Sequence, residues 1–227
     1  YKGVEIRWSC ASGLIKEKDK TPETDTLHFP NGLSDYLITR LNGRETIISN
    51  SFSGESKLNG KGGRVEWALA WPEDGEGSLV SYCNTVRTRE GGTHETGLRT
   101  ALTKALKSYA ELAGNKRGGI ITGDDVIGGT WGVLSVFVPD PEFQGQTKDK
   151  LTTTSVARNV ENSLKDHFDH FLSGDPIAST KLLERILERA EDRLSRRRAK
   201  ETARKSATRK LRLPGKLADC AKGSSDG

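Results

Sequence analysis

The sequence predicts an α+β fold: a mixed sheet with helices packed on one face, plus a long basic C-terminal helix. Three observations carry this. Strand-like runs, one helical stripe, a further strand and two more helical segments follow one another in blocks, an order that gives a sheet covered by helices and not alternating βαβ units. Apolar residues recur at helical spacing in four places. The charge is asymmetric: residues 181–216 hold 14 Lys/Arg against 5 Asp/Glu, a local net of +9 in a chain of net +5.

Taken in order, Val4-Glu5-Ile6-Arg7-Trp8 alternates like a half-buried strand. Nothing precedes it to pair with, and the sequence starts at Tyr1 and contains no Met; together these read as a cut through a larger protein. Pro30-Asn31-Gly32-Leu33 opens a short helix with Leu33, Tyr36, Leu37 and Leu41 on one face, and Gly43 closes it. Residues 51–64, rich in Ser, Gly and Lys, read as a surface loop. Glu66 to Trp71 and Leu79 to Val86 have strand character, joined through the turn Pro72-Glu73-Asp74-Gly75. Trp67, Trp71 and Trp131 are expected in the core.

A helix over about 94–113 buries Leu98, Ala101, Leu102, Ala105, Leu106 and Tyr109, and Gly114 ends it. Gly91-Gly92-Thr93 stands before that helix. It could cradle a phosphate, but the lysine and spacing of a P-loop are missing, which favours a tight turn with Thr93 as N-cap. Thr122-Gly123-Asp124-Asp125 reads as a helix cap in preference to a metal site, since carboxylates suit a helix N-terminus. After the strand from Trp131 to Val138, Pro139 and Pro141 stop the ladder, and a polar loop presents Gln144, Gly145, Gln146, Thr147 and Lys148.

A third helix carries Val156, Val160, Leu164, Phe168 and Phe171. Its His167 and His170 lie at i, i+3 with no third ligand in the sequence, so a structural role is favoured over a metal. Pro176 opens the last helix, with Leu183, Ile186, Leu187, Ala190 and Leu194 on one face, extending to about residue 205. Beyond Leu194 basic residues occupy every side.

No apolar run approaches the ~18 residues that span a bilayer, and no signal-peptide pattern is visible; no membrane partner is expected. Cys10, Cys83 and Cys220 are odd in number and far apart, without a CxxC. That pattern suits reduced thiols in a cytoplasm and argues against a disulfide scaffold or zinc. Cys83 reads as a small core residue.

Four stretches, in order and in register, resemble the B subunits of bacterial type II DNA topoisomerases, with topoisomerase IV nearer than DNA gyrase. They are Ser81-Tyr82-Cys83-Asn84-Thr85 running to Glu90-Gly91-Gly92-Thr93-His94-Glu95; Thr122-Gly123-Asp124-Asp125-Val126; Val138-Pro139-Asp140-Pro141 to Gln146-Thr147-Lys148; and Leu213-Pro214-Gly215-Lys216-Leu217-Ala218-Asp219-Cys220. The resemblance implies the transducer domain of the GHKL-type ATPases, with a division into 1–30 (remnant of the ATPase domain), 31–175 (transducer), 176–213 (basic connecting helix) and 214–227 (start of a TOPRIM domain).

It further implies that Gln146 and Lys148 reach the γ-phosphate of ATP held by a neighbouring domain. ATP and Mg2+ then belong to the full-length protein, an ATP-hydrolysing isomerase, while the fragment alone binds neither and is inactive. The basic helix would wall a cavity through which duplex DNA passes. Arg193, Arg196, Arg197, Arg198, Lys200, Arg204 and Lys205 are its candidate phosphate contacts, weak and indifferent to sequence. Implied partners are duplex DNA, an A subunit in a heterotetramer, and a second B subunit on ATP binding, at the nucleoid in the cytoplasm. The alternatives are a fragment of the gyrase B subunit and, from another class, a free-standing nucleic-acid-binding module with a basic helix. Taken alone, that helix also suits an ordinary solvated face, since Glu184 and Glu188 can pair with Arg185, Arg189 and Arg193.

Overall fold

The run Trp67-Ala68-Leu69-Ala70-Trp71 is apolar at every position, and a strand of that kind is buried on both faces. Its first four residues lie in β4 (Arg64–Ala70), the second strand of a five-stranded sheet, and Trp71 follows directly. The computed structural model describes residues 2–15, 18, 21–59 and 62–210, the last six as backbone alone. The motif from Leu213 to Cys220 lies outside them, as do the proposed start of the TOPRIM domain at 214–227 and the side chain of Lys205.

The sheet runs β3 (Phe52–Lys57), β4, β7 (Trp131–Phe137), β5 (Ser78–Cys83), β6 (Val86–Arg87). β3 and β7 flank β4 antiparallel, β5 lies parallel to β7, and β6 closes a hairpin with β5. The sheet is therefore mixed. The two strands expected on either side of the turn at 72–75 share the sheet but are not neighbours, because β7 lies between them.

Residues 52–57 are an edge strand, not the loop expected. Phe52 pairs with Leu69 and the register continues to Lys57 with Arg64. The composition hid it: β3 buries only Phe52 fully, and pairing comes from the backbone ladder. Gly54 is required there, since a Cβ would lie 2.8 Å from Cζ2 of the Trp67 ring.

Helices cover both faces of the sheet, not one. On the side of Val65, Trp67, Leu69, Leu134 and Val136 pack α2 (Thr93–Leu112), α4 (Thr154–Gly174) and the first turns of α5 (Pro176–Lys210). On the other side α1 (Leu33–Leu41) sets Leu37 and Leu41 against Ala68 and Ala70. The two alanines make room for α1. Trp131 is half-buried beside this helix, with the Arg44 guanidinium 4.6 Å from its ring centroid.

The N-terminal strand does have a partner, but it follows in sequence: β1 (Glu5–Ser9) pairs antiparallel with β2 (Thr24–His28). α3 (Gly123–Ile127) starts with a capping box in which Thr122 and Asp125 bond reciprocally, as its sequence suggested. Asp124 pairs with Arg99 at 2.5 Å, so both carboxylates are engaged. The described residues fall into two units, divided between Leu187 and Glu188.

Candidate functional site

The polar loop after β7 folds into a small ribbon of its own. β8 (Phe143–Gln144) and β9 (Lys150–Leu151) pair antiparallel, with Phe143 opposite Leu151. Gly145 and Lys148 take positive φ, 80° and 57°, and carry the chain round the tip. For lysine that is the uncommon left-handed region. Gln146 and Lys148 are both exposed. The Lys148 ammonium lies 5.9 Å from the Phe143 ring centroid and makes no ion pair with any described residue. The Thr147 hydroxyl donates to the Asp149 carboxylate.

Both ends of the loop are tied down. At the entry, the Asn84 side chain makes two bonds to one residue: its Nδ2 donates to the Val138 carbonyl at 2.8 Å, and the Val138 N–H donates to its Oδ1 at 2.9 Å. Asn84 and Thr85 have φ of 47° and 70°, the pattern of a type I′ hairpin turn between β5 and β6. That turn aims the Asn84 amide at the end of β7. At the exit, Glu90 N–H donates to the Asp149 carbonyl at 2.9 Å, and Leu151 N–H donates to the Gly91 carbonyl at 3.0 Å. Gly92 touches β9 so closely that a Cβ would lie 2.3 Å from the Leu151 oxygen.

Beneath the Glu90-Gly91-Gly92 turn lies a polar cluster. Ser81 Oγ is 2.5 Å from Glu95 Oε1 and 2.6 Å from Thr88 Oγ1, and Thr88 Oγ1 is 3.1 Å from His94 Nε2. A carboxylate only accepts, which sets the direction: Ser81 donates to Glu95, Thr88 to Ser81, and His94 Nε2–H to Thr88. His94 is fully buried, its Nδ1 has no partner among the described residues, and burial pushes its pKa down to about 4. Thr93 is not the N-cap expected: Gly92 holds that position, and the buried Thr93 hydroxyl finds no partner among the described residues.

The sequence therefore pointed to Gln146 and Lys148 on one loop, and missed Asn84, Ser81, Thr88 and Glu95 as the groups that hold it. Those positions were noted only as parts of a motif; a polar residue facing the core on β5, Ser81, with a second buried hydroxyl just beyond β6, Thr88, was the available signal. The basic candidates lie in the second unit. Arg196, Arg197, Arg198, Lys200 and Arg204 are exposed and Arg193 is half-buried. Arg193 and Arg204 are engaged with partners, and Arg197 pairs with Glu201 at 3.5 Å. His167 packs against Trp67 with the rings tilted by 52°, centroids 5.3 Å apart. Burial pushes the Cys83 thiol up to about 11, which leaves it inert. No group of three His, Cys, Asp or Glu among the described residues could hold a metal, and no described helix is long and apolar enough to cross a membrane.

The signature of the DNA gyrase B family matches residues 32–202. The chain belongs to the DNA gyrase B family. Among its relatives, it is 54% identical over 231 residues to the B subunit of DNA topoisomerase 4 from Caulobacter vibrioides. It is 52% identical over 227 residues to the corresponding protein from Bartonella bacilliformis. Each alignment covers 100% of this chain and 33% of the relative, so the chain spans a third of the length of these curated relatives. Among solved structures, the topoisomerase IV ATP-binding domain of Francisella tularensis, in complex with a small-molecule inhibitor, is similar at a TM-score of 0.64. The two are 29% identical, over 76% of this chain and 46% of that one. Within this gyrase B family member, the matched residues contain the whole of the loop and both of its anchors.

Proposed function

We propose that the chain is the transducer region of the B subunit of an ATP-dependent type II DNA topoisomerase, in which Gln146 and Lys148 read the γ-phosphate of ATP. The two topoisomerase 4 relatives favour topoisomerase IV over gyrase. The carrying observation is an exposed ammonium, paired with no carboxylate among the described residues, on a loop anchored at both ends. ATP with Mg2+, when bound, supplies the phosphate charge. The residues present fit such a group: the Lys148 ammonium binds a phosphate oxygen as a point charge, and the Gln146 amide donates alongside it. Loss of that charge on hydrolysis weakens the contact and shifts the orientation the region prefers. A free-standing nucleic-acid module gives such a loop no task.

In the full-length protein, Lys148→Ala is expected to lower ATP turnover roughly 10- to 100-fold, the worth of about 1.5–3 kcal/mol for a hydrogen bond to a charged group. The side chain is exposed, so circular dichroism and the melting temperature should stay at parent values. A parent rate of hydrolysis would remove Lys148 from this role.

The domain reading follows: 1–30 as the remnant of the ATPase domain, 31–175 as the transducer, 176–213 as a long basic connecting helix, and 214–227 as the start of TOPRIM. In this scheme the helix lines a passage for duplex DNA, contacting phosphates through Arg193, Arg196, Arg197, Arg198, Lys200, Arg204 and Lys205. The A subunit and a second B subunit complete the assembly, which acts on DNA in the cytoplasm. Weak binding of the chain to two unrelated duplexes is expected at equal affinity, falling with log salt at a slope steeper than about −2, near −0.9 per phosphate neutralised. Flat salt dependence, or a clear preference for one duplex, would contradict the passage role.

A further inference from the structure

We propose that Asn84 and Glu95 are positioning residues that hold the Gln146–Lys148 loop in its working place, one at the entry and one at the exit; this rests on the nucleotide-sensing reading of the loop. The loop tip makes few bonds of its own: within it, Lys148 N–H reaches the Gly145 carbonyl at 3.4 Å. Its placement is decided at the ends. Asn84 replaces a rung of sheet with its side-chain amide, satisfying both backbone groups of Val138 where Pro139 ends the ladder. Without that amide, two backbone groups at the strand end lose their partners together.

At the exit the support has two storeys. β9 bonds to the Glu90-Gly91-Gly92 turn, and the turn rests on the Glu95 carboxylate: a Cβ at Gly91 would lie 2.4 Å from Glu95 Oε2. Glu95 is in the first turn of α2 and is held in place by the Ser81 hydroxyl on β5. The exit is thus fixed to the sheet and to α2 at once. A lysine reaching another domain on a four-carbon stem has many conformations, and fixing the base of the loop removes part of the entropy that its contact must overcome.

The experiment separates positioning from general stability by its dependence on Lys148. Turnover is measured in the full-length protein for Asn84→Ala, Glu95→Ala, Glu95→Gln, Lys148→Ala, and the double variants combining either alanine change with Lys148→Ala. Asn84→Ala and Glu95→Ala are each expected to lower kcat about five- to twentyfold, with Glu95→Gln restoring most of it because its amide oxygen still accepts from Ser81. Each double variant should be no slower than Lys148→Ala alone, since a residue acting through Lys148 has nothing left to position. In the 227-residue chain, hydrogen exchange at Leu151 in Glu95→Ala, and at Val138 in Asn84→Ala, should quicken at least tenfold, while Leu102 in α2 keeps its protection.

Losses that multiply in the double variants overturn the proposal, as does parent turnover in both alanine variants when Lys148→Ala is impaired. Unchanged exchange at Val138 and Leu151 overturns it too. Parent turnover in Lys148→Ala is a different failure: it removes the sensing role of the loop itself, and the positioning role with it.

Discussion

Phe168→Ala is expected to destabilise the chain by about 3–5 kcal/mol, the range for emptying a fully buried phenylalanine. Phe168 is 0% exposed and sits where α4 meets the sheet. Its ring centroid is 4.9 Å from Phe52, 5.8 Å from Trp71 and 6.0 Å from Phe171, while Phe52 is also 5.2 Å from Phe171. Three of these rings belong to different elements: Phe52 to the edge strand β3, Phe168 to α4, and Trp71 to the chain just beyond β4. A cavity there cannot close without moving either the helix or the edge strand, so relaxation should recover little. Ordinary domains have only about 5–15 kcal/mol in hand, so the variant should be marginal at 37 °C. Phe168→Leu, which keeps most of the volume, should lose clearly less, under about 1.5 kcal/mol if the neighbours repack. Urea unfolding of parent, Leu and Ala variants at matched m-values tests this. A loss below about 1 kcal/mol for Ala would mean that the ring cluster is not a keystone of the packing.

The same cluster shows why some of the fold was legible in the sequence and some was not. Val156, Val160, Leu164 and Phe168 repeat at the period of a helix, so α4 could be read directly, and all four are buried. Phe52 stands alone among Ser, Gly and Glu, and no period announces β3; that strand exists because β4 offers it a free ladder and a tryptophan face. Which side α1 takes was equally hidden, since its stripe of Leu37 and Leu41 says that it packs, not on what. At the candidate site, Gln146 and Lys148 were found through a resemblance between motifs, which local pattern alone would have passed over as a solvated loop. Their anchors were missed because the bonds run far along the chain, Asn84 to Val138 across 54 residues, and a hydrogen bond of that reach leaves no periodic trace.

Acid is expected to weaken the fold through His94. Burial holds its folded pKa near 4, against about 6.5 when unfolded. Between those values the unfolded chain binds a proton that the folded chain refuses, so stability is fully present above pH 6.5 and falls as pH drops through this window. The linkage gives a loss of about 2 kcal/mol by pH 5, rising to about 3 kcal/mol near pH 4. The geometry supplies the cause. In the neutral ring Nε2–H donates to Thr88, and the bare Nδ1 is a buried acceptor without a partner among the described residues. A proton on Nδ1 would turn that position into a buried charged donor with nothing to receive it, far costlier than an unused lone pair. Because the same ring ends the chain of donors that runs through Thr88 and Ser81 to Glu95, acid should loosen the exit of the loop before the rest of the sheet. Urea midpoints at pH 7 and pH 5 for the parent and for His94→Gln give the test. Asp35 and Asp169 also have shifted pKa values, lowered by bonds from Asn31 and raised by burial respectively, but they titrate in both proteins and cancel in the difference. The variant starts less stable and should show a slope shallower by about 2 kcal/mol over the two pH units. Equal slopes in parent and variant would mean that His94 takes its proton in the folded state at ordinary cost.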